Sequence, residues 1–188
     1  MNIVLIGYRG TGKTAVGRAL AERLKRLFYD ADVFLEEKLA TTIAEMVAKE
    51  GWNFFREKEK EVIRELSAKE VSVIATGGGA VMDRENVDCL KKNGFFILLT
   101  ADIDTMVQRI LADDSSTGQR PELLDSDIYR ETKTLIEQRM PLYKEVAHFS
   151  IDTTKLSIEE VTERIIGISK IDGLVRSPQK DDTVKSSR

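Results

Sequence analysis

The amino-terminal stretch introduces a pattern that recurs along the chain. Residues Ile3 to Ile6 form a continuous apolar run with β-branched members, which is typical of a strand buried on both faces. A glycine-rich turn, 7–12, follows this run. After it, apolar residues recur at helical spacing from Val16 to Leu27, with charged residues on the other side. Strand, glycine turn and helix in this order predict the opening of a βαβ unit.

The alternation of apolar runs and amphipathic stretches continues to residue 170. Four further short apolar runs predict strands, at 27–29, 71–75, 95–99 and 148–151. Amphipathic stretches predict helices at about 14–25, 32–40, 43–49, 54–67, 84–92, 103–112, 127–139 and 157–170. Thr42 with Glu45, and Ser157 with Glu160, have capping-box spacing at two helix starts. The order predicts an α/β fold, a three-layer α/β/α architecture around a central, five-stranded parallel sheet.

Two polar stretches depart from this pattern. Residues 113–126 (DDSSTGQRPELLDS) contain Gly118 and Pro121 and lie between two predicted helices, so we expect a mobile lid at about 112–126. The chain becomes polar again after Ile171. We therefore expect a single domain over residues 1–171 and a disordered polar tail at 172–188.

Composition narrows the functional classes. The 188 residues carry 29 Lys+Arg and 32 Asp+Glu, for a net charge of −3, which argues against generic binding of nucleic acid. Cys89 is the only cysteine, so an internal disulfide and a multi-thiolate metal site are excluded. No apolar run approaches membrane-spanning length, and the first residues lack the pattern of a signal peptide. We expect a cytoplasmic protein.

The turn after the first strand carries the clearest chemical motif. Its sequence, GYRGTGKT from Gly7 to Thr14, fits the phosphate-binding pattern G-x-x-x-x-G-K-[ST]. Glycines let the backbone wrap a phosphate, Lys13 reaches the β- and γ-phosphates, and the Thr14 hydroxyl suits Mg²⁺. The expected nucleotide-binding residues are Gly10, Thr11, Gly12, Lys13, Thr14 and Ala15. The fold is thus expected to be of the P-loop type, like the nucleoside monophosphate kinases.

The sequence also limits the kind of phosphate chemistry. A GTPase needs an Asn/Thr-Lys-x-Asp segment that reads the base and an Asp-x-x-Gly switch, and neither is present. A transport-type ATPase is longer and carries a signature helix. The small size and a lid-like loop with Arg120 near its middle indicate a small-molecule kinase.

Other polar groups fall at predicted strand ends or helix starts. Asp30 and Asp32 follow the second strand, at the sheet edge where ligands bind, although Asp32 could simply cap the next helix. Arg56 and Glu59 are three apart and can pair on one helix face. Glycines at 77, 78 and 79 end another strand and either form a flexible turn or let a ligand approach the backbone.

Arg139 precedes Met140-Pro141-Leu142-Tyr143 near a predicted helix end, where it could bind a ligand or merely be a solvated cation. Together with the preceding motifs, this segment resembles the shikimate kinase family. The matching segments are GYRGTGKTAVGRALA, FYDAD, FFREKE, VIATGGGAV, QRPEL and QRMPLYKEVA, within residues 2–155. The glycine turn is common to a superfamily, whereas D-x-D, F-R-x-x-E, T-G-G-G and R-x-P-L-Y in this order are close to family-specific.

The resemblance implies that ATP phosphorylates the 3-hydroxyl of shikimate, giving shikimate 3-phosphate and ADP in aromatic amino-acid biosynthesis. It implies that Thr14 and Asp30 hold Mg²⁺ and that Asp32 binds the substrate hydroxyls and draws a proton from one. Substrate contacts are implied at Arg56, Gly77, Gly78, Gly79 and Arg139. Arg120 is expected to act on the transferring phosphoryl group. Arg109 is expected to stack on adenine, with the 152–154 stretch on its other side.

Two alternatives stay open from the residues alone. One is another small-molecule P-loop kinase, acting on gluconate or a nucleotide. The other is a catalytically silent relative that binds ligand for regulation, against which the intact set of charged motif residues argues. We expect ATP and the small acid as partners, no nucleic acid or membrane partner, and a monomer.

Overall fold

The computed structural model describes residues 1–112 and 125–171. Its strands are β1 (Asn2–Ile6), β2 (Leu27–Asp30), β3 (Ser72–Ala75), β4 (Gly94–Thr100) and β5 (Phe149–Asp152). Its helices are α1 (Lys13–Leu24), α2 (Ala31–Leu39), α3 (Ile43–Ser67), α4 (Arg84–Lys91), α5 (Ile103–Ala112), α6 (Asp125–Val146) and α7 (Ile158–Ile171). A short 3₁₀ turn, Ala80–Met82, lies between β3 and α4.

The five strands form one sheet in the order β2-β3-β1-β4-β5, and every pair is parallel. The central strand β1 pairs with β3 through Val4 and Ile74, and with β4 through Val4 and Phe96. The predicted five-stranded parallel sheet is therefore confirmed. Because all strands run the same way, the carboxyl ends of β1, β2 and β3 meet at one edge of the sheet.

Alternate residues of the central strands face two separate apolar cores. Val4, Ile74 and Phe96 pack with residues of α2, α3, α4 and α6 on one face. Ile3 and Val73 pack with residues of α1 and α7 on the other. Burial of both sheet faces explains why β1 and β3 are continuous apolar runs and confirms the three-layer architecture.

Two helices extend beyond their predicted bounds. The stretches predicted at 43–49 and 54–67 are joined in one element, α3, but the backbone of Gly51 between them is non-helical, with φ 84° and ψ 171°, so the predicted break is confirmed. Helix α6 was predicted to end at residue 139, but it continues through Pro141 to Val146. Proline removes one backbone hydrogen bond there. Tyr143 and Val146, both buried, fix the end of the helix against the sheet regardless.

The predicted capping boxes form at both helix starts. The Glu45 backbone N–H donates to Thr42 Oγ1 at 3.2 Å, and a Glu45 carboxylate oxygen accepts from the Thr42 backbone. The Ser157 and Glu160 pair is arranged in the same way at α7. No helix in the described ranges is long and apolar enough to cross a membrane.

Of the expected lid, only Ala112 at the end of α5 and residues 125–126 at the start of α6 belong to the described part of the chain. The rest of the lid, with Arg120, and the expected tail at 172–188 lie outside the described residues.

Candidate active site

The glycine-rich turn between β1 and α1 is closed by its own side chains. Gly12, the last residue before α1, has a φ of 91°, a left-handed conformation that disfavours other residues. The Thr11 hydroxyl donates to the Tyr8 carbonyl oxygen at 2.7 Å, and the Lys13 ammonium donates to the same oxygen at 2.8 Å. The turn is therefore already folded around the place where a phosphate would bind at a helix start.

Lys13 lies near two carboxylates, those of Asp30 at the end of β2 and Asp32 in the first turn of α2. Burial lowers the pKa of Lys13 to about 8, and the negative charges of Asp32 and Asp30 oppose that shift. The lysine therefore remains mostly protonated at neutral pH, as a phosphate-binding group requires.

Thr14 and Asp30, the two expected metal-binding residues, are in direct contact. The Thr14 hydroxyl donates to Asp30 Oδ2 at 2.7 Å. The other carboxylate oxygen, Oδ1, accepts from the Asp32 backbone N–H at 3.1 Å, so Asp30, rather than Asp32, caps α2. Mg²⁺ commonly takes one or two protein oxygens and completes its shell with water and substrate phosphate. This pair of oxygen donors fits such an ion.

Asp32 lies in the first turn of α2, one residue beyond the cap. Because the chain turns from β2 into α2 between the two residues, the carboxylates of Asp30 and Asp32 point in different directions. Burial raises the pKa of Asp32 to about 7, and the neighbouring charges of Asp30 and Glu59 add to the rise. A carboxylate with such a pKa can accept a proton near neutral pH.

The Gly77–Gly79 loop after β3 leaves room for three polar side chains. A Cβ atom at Gly77 would lie 2.6 Å from Asp32 Oδ1 and 3.2 Å from Glu59 Oε1. A Cβ atom at Gly79 would lie 2.6 Å from the Arg56 guanidinium. At Gly77 and Gly79, a Cβ atom would force these side chains to move, whereas at Gly78 it would make ordinary contacts.

Arg56 is held in place by a buried carboxylate. Its Nη1 donates to Glu59 Oε2 at 2.6 Å, and Glu59 is only 3% exposed. Burial raises the pKa of Glu59, while the Arg56 charge opposes the rise. The guanidinium also lies 4.9 Å from the Phe55 ring centre and 5.8 Å from that of Trp52. The Arg56 side chain still keeps about a third of its surface exposed (35%) and can meet a ligand.

Arg139 reaches the same loop from α6. Its Nη1 donates to the Gly78 carbonyl oxygen at 3.2 Å, and its guanidinium lies 5.7 Å from the Tyr8 ring centre. Arg139 is thus not a solvated helix-end cation. Both arginines contact neighbouring glycines of one loop, although 83 positions of sequence separate them.

Arg109 connects the phosphate-binding turn to the loop after β5. It donates to the Gly10 carbonyl oxygen at 3.2 Å and to the Thr153 hydroxyl and carbonyl oxygens at 3.0 Å each. The Thr153 hydroxyl lies within hydrogen-bond distance of the Thr11 carbonyl oxygen at 3.1 Å. Arg109 therefore contacts the 152–154 stretch directly, whereas the expectation placed adenine between the two; its stacking on adenine stays a prediction.

Sequence reasoning missed two residues of this region, Tyr8 and Tyr143, and part of what two others do. The Arg56–Glu59 pair was predicted, but the burial of Glu59 was not. Tyr8 and Tyr143 carried no expected role, and Thr153 was expected only as part of the stretch beside adenine, yet each forms a hydrogen bond to or within the glycine loops. For Tyr143 a signal existed, because it follows Arg139 by four residues and shares its helix face.

A phosphate-binding turn, an aspartate beside it and two arginines at an adjacent loop define a P-loop kinase that acts on a small anionic molecule. A sequence model of the shikimate kinase family matches residues 9–169. The chain belongs to the shikimate kinase family.

Individual relatives agree with this assignment. A shikimate kinase from Syntrophus aciditrophicus is 46% identical over 173 residues, which cover 88% of this chain and 89% of the relative. A shikimate kinase from Pelotomaculum thermopropionicum is 43% identical and covers 90% and 95% of the two chains. The solved structure of Acinetobacter baumannii shikimate kinase in complex with shikimate superposes with a TM-score of 0.84 at 36% identity, covering 92% and 94%.

Proposed function

We propose that this chain transfers the γ-phosphoryl group of ATP to the 3-hydroxyl of shikimate, giving shikimate 3-phosphate and ADP for aromatic amino-acid biosynthesis. The observation that carries the proposal is the Gly77–Gly79 loop, which contacts Arg56, Arg139 and Asp32 at once. Shikimate carries one carboxylate and three hydroxyls. Guanidinium groups suit the carboxylate, and an aspartate suits the hydroxyls.

The phosphates of ATP are assigned to the turn Gly10–Ala15 and the amino end of α1. Lys13 exchanges its hydrogen bond with the Tyr8 carbonyl for the β- and γ-phosphates. Thr14 and Asp30 hold Mg²⁺, which when bound neutralises charge on the phosphate oxygens. This is electrostatic stabilisation of a transition state whose charge spreads over the phosphoryl oxygens.

Asp32 is assigned the role of general base, which accepts the proton of the attacking hydroxyl. With a pKa of about 7 it is largely ionised just above neutral pH, where it accepts a hydrogen bond from the hydroxyl and then its proton. The hydroxyl oxygen forms a bond to the γ-phosphorus as the bond to the ADP oxygen breaks. The negative charge passes to ADP.

Arg56 and Arg139 are assigned to bind the substrate carboxylate. Residues Gly77–Gly79 are assigned to line the substrate ring. Glu59 fixes Arg56 in its orientation, so little side-chain entropy is lost on binding. From the family motifs we assign Arg120 to the transferring phosphoryl group and Arg109 to the adenine. We also propose a cytoplasmic location, because a single cysteine fits a reducing compartment. We propose a monomer, because every assigned group comes from one chain; a dimer in size-exclusion chromatography would contradict the monomer.

The test is release of ADP over a panel of hydroxylated acceptors, with ATP and Mg²⁺ at saturation. Shikimate is expected to give turnover at least a hundredfold above gluconate and nucleoside monophosphates. Preferred turnover of another acceptor would support a different small-molecule kinase. Retained ATP binding without turnover of any acceptor would support the silent relative.

A further inference from the structure

Tyr143 lies beside the acid-binding candidates and has no part in the reaction proposed above. It stands one helical turn after Arg139 on α6 and is 1% exposed. Its hydroxyl donates to the Gly78 carbonyl oxygen, the same atom that accepts from Arg139 at 3.2 Å. One loop oxygen is therefore held by two donors from one helix face.

The phenol also contacts the Arg139 guanidinium. Burial raises the pKa of Tyr143 to about 12, and the charge of Arg139 and a hydrogen bond from it oppose that rise. Tyr143 is therefore protonated throughout the physiological range and always able to donate. The Tyr143 hydroxyl, the Arg139 guanidinium and the Gly78 carbonyl oxygen are therefore all hydrogen-bonded to one another.

Packing alone does not account for this hydroxyl. A phenylalanine would fill nearly the same buried volume, and burial of a hydroxyl is costly unless it is hydrogen-bonded. Here the bond goes to the residue next to Gly79, whose backbone lies against Arg56. Fixing Gly78 therefore fixes the spacing between the two guanidinium groups as well as the orientation of one.

We infer that Tyr143 is a positioning residue that sets the affinity of the kinase for the carboxylate of its acceptor, acting through Arg139 and the Gly78 carbonyl. It does not touch the substrate and does not contribute to nucleotide binding. The inference rests on the proposed function, because it takes Arg139 as the carboxylate-binding group.

The test is Tyr143→Phe, which removes one oxygen atom. Its matched control is Tyr129→Phe, which removes the same atom from a 40%-exposed tyrosine on the same helix. Tyr143→Phe is expected to raise the KM for shikimate about tenfold and to leave kcat and the KM for ATP within about twofold. The control is expected to change none of the three.

A second background separates positioning from a general loss of stability. In an Arg139→Lys chain, which lacks the planar guanidinium, Tyr143→Phe is expected to raise the KM for shikimate less than about twofold further. A similar tenfold rise in both backgrounds would overturn the inference. Equal effects on the KM values of acid and ATP, or no effect, would also overturn it.

Direct binding provides the same comparison without turnover. Trp52, the single tryptophan, lies 5.8 Å from Arg56, so its emission reports acid binding near the two arginines. Tyr143→Phe is expected to weaken this binding about tenfold at an unchanged melting temperature; unchanged affinity would overturn the inference. Failure of the wild-type chain to phosphorylate shikimate would instead count against the proposed function.

Discussion

Lys13 and Asp32 have opposite charges and pKa values that the fold shifts toward each other, to about 8 and about 7. The reactive form needs Asp32 ionised and Lys13 protonated. We therefore expect kcat/KM for shikimate to form a bell between pH 5.5 and 9.5, falling below about 7 and above about 8. A flat profile from pH 6 to 9 would contradict this assignment. Coupling enzymes are kept in excess at every pH, so that their own pH dependence does not shape the measured profile.

The raised pKa of Asp32 also has a consequence for stability. Between its unfolded value, 3.8, and its folded value of about 7, the folded protein holds more protons, so stability falls as pH rises through this window. Asn at position 32 cannot ionise. At pH 8 the free energy of unfolding of Asp32→Asn is therefore expected to be about 2 kcal/mol higher than that of the wild type. The gain should vanish near pH 4 in urea titrations; a loss of stability at pH 8 would refute it.

Lys13→Ala is expected to abolish turnover, by at least about a hundredfold in kcat, because it removes the charge that stabilises the transferring phosphoryl group. The fold should survive, since Lys13 bonds only to a carbonyl of its own turn among the described residues. ADP release and a thermal melt measure the two effects. Lys91→Ala, an exposed lysine at the end of α4, serves as the matched control and should keep wild-type activity.

At the scale of elements, the turn into β3 contains a strained residue. Val71, a β-branched and 52%-exposed residue, has a φ of 53°, in the left-handed region. Val71→Gly is expected to raise the free energy of unfolding by about 1 kcal/mol, because glycine adopts this conformation without strain. Val33→Gly, at an exposed helical position with ordinary φ, should lower it instead. A destabilised Val71→Gly chain would show that the conformation is not strained.

Element identity was largely predictable, and element ends were less so. Short apolar runs predicted every strand: β1, β3 and β4 are buried at the centre of the sheet, while the edge strands β2 and β5 are more exposed. The sequence pattern predicted a helix break between residues 49 and 54, where Gly51 lies, and a helix end at residue 139, before Pro141. In the fold, the backbone of Gly51 is non-helical, which confirms the predicted break, whereas Pro141 lies within α6, since tertiary packing outweighs the loss of one hydrogen bond.

At the scale of the molecule, Thr153 joins distant parts of the chain. Its buried hydroxyl meets the Thr11 carbonyl, 142 positions away, and accepts from Arg109. Thr153→Val removes the donor to the Thr11 carbonyl and one of the three acceptors of Arg109. It is expected to raise the KM for ATP about tenfold, with the KM for shikimate nearly unchanged. Thr134→Val, on the exposed face of α6, is the control. A larger change for shikimate than for ATP would refute this separation of the two sites.

The same scale explains which site residues could be predicted. Lys13, Thr14 and the glycines lie in short motifs whose spacing encodes their chemistry. The Arg56–Glu59 pair follows from helical spacing. Contacts such as those of Tyr143 with Gly78 and of Thr153 with Thr11 join distant segments, and no local pattern encodes them.

The anchoring of the phosphate-binding turn by Thr153 has a consequence for synthesis on the ribosome. The turn is made 142 positions before its anchor, which belongs to the loop after β5. A nascent chain that stops before residue 153 contains the complete glycine motif without the support that holds it. Firm retention of nucleotide must therefore begin late in translation, after β5 has joined the edge of the sheet.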